Sequence, residues 1–302
     1  MKWNKLGLIF EPDRQLEWMK NYASVPKGYY LGDDIYRVYF ASRNEKQQSS
    51  GGYFDININN PTVILNYTKV PIIVPGDIGM FDCDGVYPSS IIEIDNKVYM
   101  YYIGWNKGDP EPLFRSGIGL AISNDNGTTF KKYSQGPILD RNVIDPLLVS
   151  APTVMKLGER YIMYYVSCEK WERHEDGLHS KYYMKEAFSY DGINWERKND
   201  VALPLQGDEE HICHMSVIHN GNNYEGWYAY ESIFGYRIGM AHSEDGISWE
   251  RDDVNAGMQL SEKGWDSQAQ AYPFVFMHGG KRYMLYNGNR NGYDGIGIAI
   301  EG

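Results

Sequence analysis

One pattern recurs along the whole chain: a short polar turn is followed by a strand rich in aromatic residues. The turns lie near residues 32, 95, 158, 221 and 279, so successive copies are about 60 residues apart. The strands after them read IYRVYFAS, KVYMYYIG, RYIMYYVS, NYEGWYAY and KRYMLYNG. Aromatic and β-branched residues favour strands, so the pattern predicts five copies of one β-structured unit.

Each copy contains further short strands around the aromatic one. A strand before the turn completes a hairpin, and from the second copy onward a strand of small residues follows, such as IGLAIS at 118–123 and IGMAHS at 238–243. Three copies then run through the turns SNDNGTTF, SYDGINW and SEDGISW into a short fourth strand. Their Asp-Gly or Asn-Gly pairs supply the positive φ that a tight turn requires. The repeating unit is therefore predicted to be four antiparallel strands.

Four-stranded units that repeat around an axis are the blades of a β-propeller. We therefore predict an all-β fold in which residues 1–302 form one five-bladed propeller domain. The last copy lacks a fourth strand, whereas the segment WNKLGLIF at 3–10 precedes the first copy. Pairing that segment into the last blade would remove two exposed sheet edges, so we expect the N-terminal strand to close the ring.

The composition argues against several classes of function. The net charge is −11, and an acidic surface repels a phosphate backbone, so we expect no nucleic-acid partner. The three cysteines, Cys83, Cys168 and Cys213, lack metal-binding spacing, and we expect neither a metal nor another cofactor. The N-terminal apolar run at 6–10 is too short for a signal peptide or a membrane span. We therefore expect a cytoplasmic protein without a membrane partner.

In a propeller, the loops that lead into first strands and those that leave second strands meet on one face, around the central channel. In this chain those segments are rich in acids, histidines, amides and tryptophans, which can hydrogen-bond hydroxyl groups and stack on a sugar ring. A carbohydrate is thus the expected ligand. The predicted binding residues are Asp82, Trp105, Glu169, His211, His214, Glu231, Asp266, Gln268 and Arg290.

The five-unit layout, the aromatic hairpins and the S-x-D-G-x-x-W turns resemble the five-bladed glycoside hydrolases. The resemblance covers nearly the whole chain and extends to families 43, 32 and 68 and, more distantly, to the family 130 phosphorylases. The turn SNDNGTTF is also similar to the Asp-box of sialidases, which is structural and lies away from the active funnel. That likeness implies that Asp125 is not a catalytic candidate.

The resemblance implies a glycoside hydrolase in which carboxyl groups flank the glycosidic bond, one protonated and one ionised. The usual acid motif is absent, because Ser150 stands before Ala151 and Pro152 where a glutamate is expected. We predict Glu210 as the acid, because like-charge repulsion from the acidic residues before it would favour its protonated form. We predict Asp84 as the base and Asp145 as the residue that orients the pair.

The divergent motifs leave a second function open, in which the propeller binds glycans or serves polysaccharide biosynthesis without hydrolysing them. Two carboxyl groups about 5 to 9.5 Å apart across an open pocket would favour hydrolysis, and a single carboxylate would favour the alternative. Asp82 and Asp84 could also serve only to cap a turn. The spacing of His211 and His214 resembles a metal-binding pair, but a strand would direct them to opposite faces, and we predict no metal there.

Overall fold

The computed structural model describes residues 1–108 and 111–302, and strands make up almost all of its regular structure. The N-terminal strand, β1, spans Trp3–Phe10, and the later strands follow in groups along the chain. The first group comprises β2 (Asn21–Gly32), β3 (Ile35–Arg43), β4 (Ser49–Asn57) and β5 (Ile64–Tyr67); the second β6 (Gly85–Ile94), β7 (Lys97–Lys107), β8 (Phe114–Ser123) and β9 (Lys131–Lys132); the third β10 (Val149–Leu157), β11 (Arg160–His174), β12 (Gly177–Ser189) and β13 (Glu196–Leu203); the fourth β14 (His211–His219), β15 (Tyr224–Ser232), β16 (Gly235–Ser243) and β17 (Glu250–Arg251); and the last β18 (Ala271–His278), β19 (Lys281–Asn287) and β20 (Ile296–Glu301). Short helical turns occur at Asp253–Asn255 and Asn289–Gly292.

Strands within each group pair antiparallel with their neighbours in the chain, and we call each group a set. The last set is completed by β1, which pairs antiparallel with β20 to give the order β1-β20-β19-β18. A single parallel bridge joins the first set to the second, and another joins the third to the fourth. The all-β class is therefore confirmed, and the N-terminal segment lies at the sheet edge where the sequence predicted it.

Phe10, the last residue of β1, packs between the last set and the first. Phe10 stacks on Phe54 with ring centroids 4.3 Å apart and contacts Phe40 at 4.9 Å. The same buried cluster contains Phe276 and Leu285 from the last set. Burial of this apolar surface stabilises the contact between the first and last parts of the chain.

A recurrent hydrogen bond ties neighbouring sets together. In each case a buried tyrosine of one set donates to a backbone carbonyl in the Asp-Gly or Asn-Gly turn of the next. The pairs are Tyr39 with Gly127 (2.7 Å), Tyr101 with Gly192 (2.8 Å) and Tyr164 with Gly246. Within the first of these turns, Asp125 accepts hydrogen bonds from the backbone nitrogens of Thr128 and Thr129. Partial burial raises the pKa of Asp125, but hydrogen bonds from Ser123 and Thr129 outweigh this effect and lower the pKa to about 2. The ionised carboxylate therefore stabilises the turn in which it lies.

Candidate functional site

A cavity of about 560 Å³ opens where the first strands of the five sets begin. Side chains from every set contribute to its wall, so it occupies the position that the sequence predicts for a ligand. Representative lining residues are Arg43 from the first set, Trp105 from the second, Ser150 from the third, His211 and Glu231 from the fourth, and Tyr272 from the last.

The first strands of four sets are bent at this wall. In each, one or two non-glycine residues adopt a left-handed backbone conformation beside a shift in strand register. All of them line the cavity, namely Tyr22 (φ 69°), Val25 (φ 59°), Ala151 (φ 46°), His214 (φ 53°) and Tyr272 (φ 55°). A positive φ is unusual for any side chain and most unfavourable for a β-branched one such as Val25. Bulges of this kind redirect side chains, and such strain clusters at functional sites.

His211 and Glu231 form a close pair on the cavity wall. They face each other across the hairpin of β14 and β15, and His211 Nδ1 lies 2.6 Å from Glu231 Oε2. On the other side of the ring, His211 Nε2 lies 3.1 Å from the hydroxyl oxygen of Ser180. Nδ1 can donate to the Glu231 carboxylate, while Nε2 lies within hydrogen-bond distance of the Ser180 hydroxyl. These two contacts fix the orientation of the imidazole ring.

Buried phenols surround this pair. The Tyr182 ring stacks on His211 with centroids 4.0 Å apart, and its hydroxyl lies 3.1 Å from that of Tyr236. Tyr272 meets the His214 ring edge to face at 4.6 Å. Burial raises the pKa of Tyr182, Tyr236 and Tyr272 well above the usual value, so all three stay protonated and can donate hydrogen bonds.

Two cationic side chains lie at or beside the cavity. Arg43 lines it and donates from Nε to the hydroxyl of Tyr87 at 2.8 Å. Lys27, on β2 beyond the lining residue Val25, is only 2% exposed, and burial lowers its pKa to about 7. His214 is also buried, and burial followed by the nearby Lys27 charge lowers its pKa well below the usual value. His214 is therefore neutral, and its Nδ1 atom has no hydrogen-bond partner within the described residues.

The structure brings only some of the predicted residues to the cavity. Four of the predicted binding residues line it: Trp105, His211, His214 and Glu231. The remaining predicted residues are not part of its wall: Asp82, Asp84, Asp145, Glu169, Glu210, Asp266, Gln268 and Arg290.

Three of these aspartates, Asp82, Asp145 and Asp266, are buried within their sets. Each accepts a hydrogen bond from a second-strand tyrosine that follows it by 20 residues and from a lysine on a neighbouring strand. The groups are Asp82 with Tyr102 and Lys132, Asp145 with Tyr165 and Lys185, and Asp266 with Tyr286 and Lys5. These donors hold each carboxylate inside its own set, although Oδ1 of Asp82 has no hydrogen-bond partner among the described residues.

The other two predicted catalytic carboxylates are also engaged elsewhere. Asp84 accepts a hydrogen bond of 2.8 Å from the backbone nitrogen of Lys107. Glu210 lies 3.2 Å from Nδ1 of His179, on the hairpin of β11 and β12. Glu210 immediately precedes β14 and is not among the residues that line the cavity. The expected convergence of Asp84, Asp145 and Glu210 in the cavity is therefore not seen.

Three predicted binding residues are exposed rather than in the cavity. Glu169 and Gln268 are open to solvent, and Arg290 forms an exposed ion pair of 2.8 Å with Asp294.

Three lining tyrosines were absent from the sequence prediction: Tyr182, Tyr236 and Tyr272. Arg43 ends the second strand of its set, as Trp105 and Glu231 nearly do in theirs, and the positional rule that selects those two residues also selects Arg43. The tyrosines gave no such signal, because tyrosine is frequent in every strand of this chain.

Residues 1–108 and 111–302 contain no group of three or more histidine, cysteine or acidic side chains arranged to hold a metal ion. In the same ranges, no helical segment has the length and apolar character needed to cross a bilayer.

Two curated proteins of Mycobacterium tuberculosis are similar to this chain along its whole length. Uncharacterized protein Rv1502 of strain H37Rv and uncharacterized protein MT1551 of strain CDC 1551 are each 35% identical over 301 residues, which is 99% of both chains. No family model matches the sequence.

Solved structures share the fold at lower identity. A structure described as a complex of BT0996 and RGII has a TM-score of 0.76 and 18% identity, covering 99% of this chain and 91% of the other. A structure described as a glycoside hydrolase has a TM-score of 0.75 and 19% identity, covering 98% and 90%. The Bombyx mori GH32 β-fructofuranosidase BmSUC1 has a TM-score of 0.66 and 14% identity, covering 97% and 62%. The resemblance to the propeller glycoside hydrolases is thus confirmed for the fold.

Proposed function

Because this chain belongs to the same family as the Mycobacterium tuberculosis protein Rv1502 and folds like solved glycoside hydrolases, we propose that it is a carbohydrate-active protein that binds a glycan in the central cavity. The observation that carries the proposal is the cavity itself, whose wall takes aromatic and polar side chains from all five sets. Its volume of about 560 Å³ is within the range of small-molecule sites.

The proposal includes the architecture. The five sets of four strands would be the five blades of one propeller domain over residues 1–302, closed by β1. Two observations support closure. Pairing of β1 with β20 covers a sheet edge that would otherwise be exposed, and Phe10 packs between the first and last sets.

The chemistry of the wall suits a polyhydroxylated ligand. Trp105 offers an aromatic ring on which a sugar can stack, and the neutral phenols of Tyr182 and Tyr236 can donate to hydroxyl groups. Glu231 accepts hydrogen bonds, and His211 keeps its carboxylate oriented at 2.6 Å. Recognition would combine stacking with a few well-placed polar contacts.

Between the two functions open from the sequence, the geometry favours binding or transfer without hydrolysis. Glu231 is the one carboxylate among the described residues that line the cavity, and it is already paired with His211. Glycoside hydrolysis ordinarily requires two carboxyl groups on either side of the bond, about 5 to 9.5 Å apart. Hydrolysis is the second candidate, favoured by the fold, with Glu231 as the acid in place of Glu210.

The test is a panel of neutral and acidic mono- and oligosaccharides, screened for binding by saturation-transfer NMR and calorimetry and for turnover as aryl glycosides. We expect binding without turnover, and a loss of affinity of at least tenfold in Trp105→Ala. The matched control is Tyr190→Ala, which removes an aromatic ring that is 80% exposed. Turnover that disappears in Glu231→Gln would establish the second candidate. Absence of any saccharide binding would overturn the proposed function.

A further inference from the structure

The cavity does not share the acidic character of the chain as a whole, because its wall carries one arginine, Arg43, and one carboxylate, Glu231. Arg43, and Lys27 buried beyond the lining residue Val25 on β2, form no ion pair with any carboxylate in the described residues, although the chain carries a net charge of −11. Other buried cations, such as Arg37 and Lys185, are each paired with a carboxylate. The unpaired cations therefore require an explanation of their own.

Arg43 is held so that its terminal nitrogens remain available. Its Nε donates to Tyr87, while the guanidinium lies 5.1 Å from the ring centroid of Tyr22 and 5.4 Å from that of Trp105. Within residues 1–108 and 111–302, the two terminal nitrogens have no hydrogen-bond acceptor. A guanidinium presents its donors as a planar fork that matches a carboxylate or a phosphate in two parallel bonds. The aromatic rings fix the plane of that fork.

Lys27 is the second side chain without an ion-pair partner, and it is more deeply buried than Arg43. Its side chain lies 2% exposed beside Cys213 and His214, both of which line the cavity, and it makes no hydrogen bond to the described residues. Its nearest aromatic contact is the Phe274 ring, 5.7 Å from the ammonium. Burial lowers the pKa of Lys27 to about 7, so the uncharged amine is well populated at neutral pH, and an anion bound nearby would favour the charged form. If this position only filled apolar space, a leucine or methionine side chain would fill it without the cost of burying an amine.

We propose that the cavity recognises an acidic sugar, whose carboxylate or phosphate group is bound by the Arg43 guanidinium, and that Lys27, buried beyond Val25 on β2, adds positive charge near the wall when it is protonated. The proposal rests on the proposed function and names its ligand class. The uncharged part of the sugar would lie against Trp105 and the phenols of the wall. Glu231, on the fourth set, makes a 2.6 Å contact with His211 and can accept hydrogen bonds from hydroxyl groups of the same sugar.

The test compares acidic sugars with their neutral counterparts on the full chain. Glucuronate, galacturonate and glucose 1-phosphate are titrated beside glucose, galactose, acetate and inorganic phosphate, by calorimetry and saturation-transfer NMR. We expect at least one acidic sugar to bind at least tenfold more tightly than glucose, galactose or either free anion. Comparing uronates with glucose 1-phosphate identifies which anionic group is preferred.

Variants then locate the effect. Arg43→Gln should reduce the preference for the acidic sugar at least tenfold, and Lys27→Met should reduce it as well, while Arg141→Gln, at an exposed arginine outside the cavity, should not. Circular dichroism and thermal midpoints establish that each variant is folded. If a variant fails to fold, the comparison of sugars on the unaltered chain still decides the question.

The possible outcomes separate this inference from the function on which it rests. Equal binding of acidic and neutral sugars would overturn the inference and leave the proposed function intact. Equal binding of free phosphate or acetate and acidic sugar would overturn the assignment of a sugar ligand to the two cations. Absence of binding by every saccharide would overturn both.

Discussion

The hydroxyl of Tyr165 donates a 2.9 Å hydrogen bond to the fully buried carboxylate of Asp145. Ser167, Lys185 and Arg197 donate to the same carboxylate, at 2.6, 2.9 and 3.0 Å. Although burial opposes ionisation, these donors lower the pKa of Asp145. We therefore expect Asp145→Asn to lower the free energy of unfolding by about 3 kcal/mol, because it leaves buried cations without their counter-charge.

Chemical denaturation of the wild type and the variant measures this loss. Asp140→Asn is the matched control, because that side chain is exposed and its polar contacts within the described ranges are with its neighbour Arg141. A loss below about 1 kcal/mol, the level of an ordinary hydrogen bond, would contradict the structural role assigned to Asp145.

A buried glutamate should make stability depend on pH. Glu186 on β12 is 3% exposed, and one of its carboxylate oxygens has no hydrogen-bond partner in the described ranges. Burial raises the pKa of Glu186 to about 7. Between about pH 4.5 and about pH 7 the folded chain holds a proton that the unfolded chain releases. The free energy of unfolding is therefore highest below about pH 4.5 and decreases as the pH rises to about 7. The corresponding change is on the order of 3 kcal/mol.

Glu186→Gln should remove this dependence. We expect the variant to be more stable than the wild type at pH 8 and closely similar at pH 4.5, as judged from thermal midpoints at both values. A constant difference at the two pH values would show that the substitution acts through packing and not through the charge.

The hydrogen bonds between sets should contribute measurably to stability. Tyr101 donates to the carbonyl of Gly192 in the turn of the next set, and its hydroxyl is buried. Tyr101→Phe removes the donor while keeping the ring, so we expect a loss of about 1 kcal/mol in urea denaturation. The control Tyr133→Phe removes a hydroxyl from a half-exposed ring and should have almost no effect. An equal loss in both variants would argue against a role for this bond.

The fold was largely predictable because one physical pattern repeats. Each of the five predicted turns connects the first and second strands of a set, from the Gly32 turn to the Gly279 turn. The unpaired N-terminal segment could be placed as well, since an open sheet edge is a strong constraint. Fourth strands as short as Lys131–Lys132 were detectable only through the turns before them.

The site was less predictable, because an acidic residue before a first strand can adopt either of two positions. Its carboxylate can face the channel, or it can be buried and accept hydrogen bonds from a tyrosine and a lysine of its own set. The recurrence of a tyrosine 20 residues after Asp82, Asp145 and Asp266 would have indicated the second position. The bulges that bring His214 and Tyr272 to the wall break the alternation of the strand and have no comparable signature.

The two glutamates at the fourth set should differ sharply in their effect on ligand binding. Glu231 lines the cavity and holds His211 at 2.6 Å, so Glu231→Gln should weaken the tightest saccharide ligand at least tenfold by calorimetry. Glu210 contacts His179 outside the cavity wall, so Glu210→Gln should change the affinity less than about threefold, within the contribution of an exposed ion pair. The comparison is well matched, because both changes remove one carboxylate charge and keep the side-chain length. If Glu210→Gln weakened binding more than Glu231→Gln, the carboxylate that serves the ligand would be Glu210, and the assignment made from the cavity would be wrong.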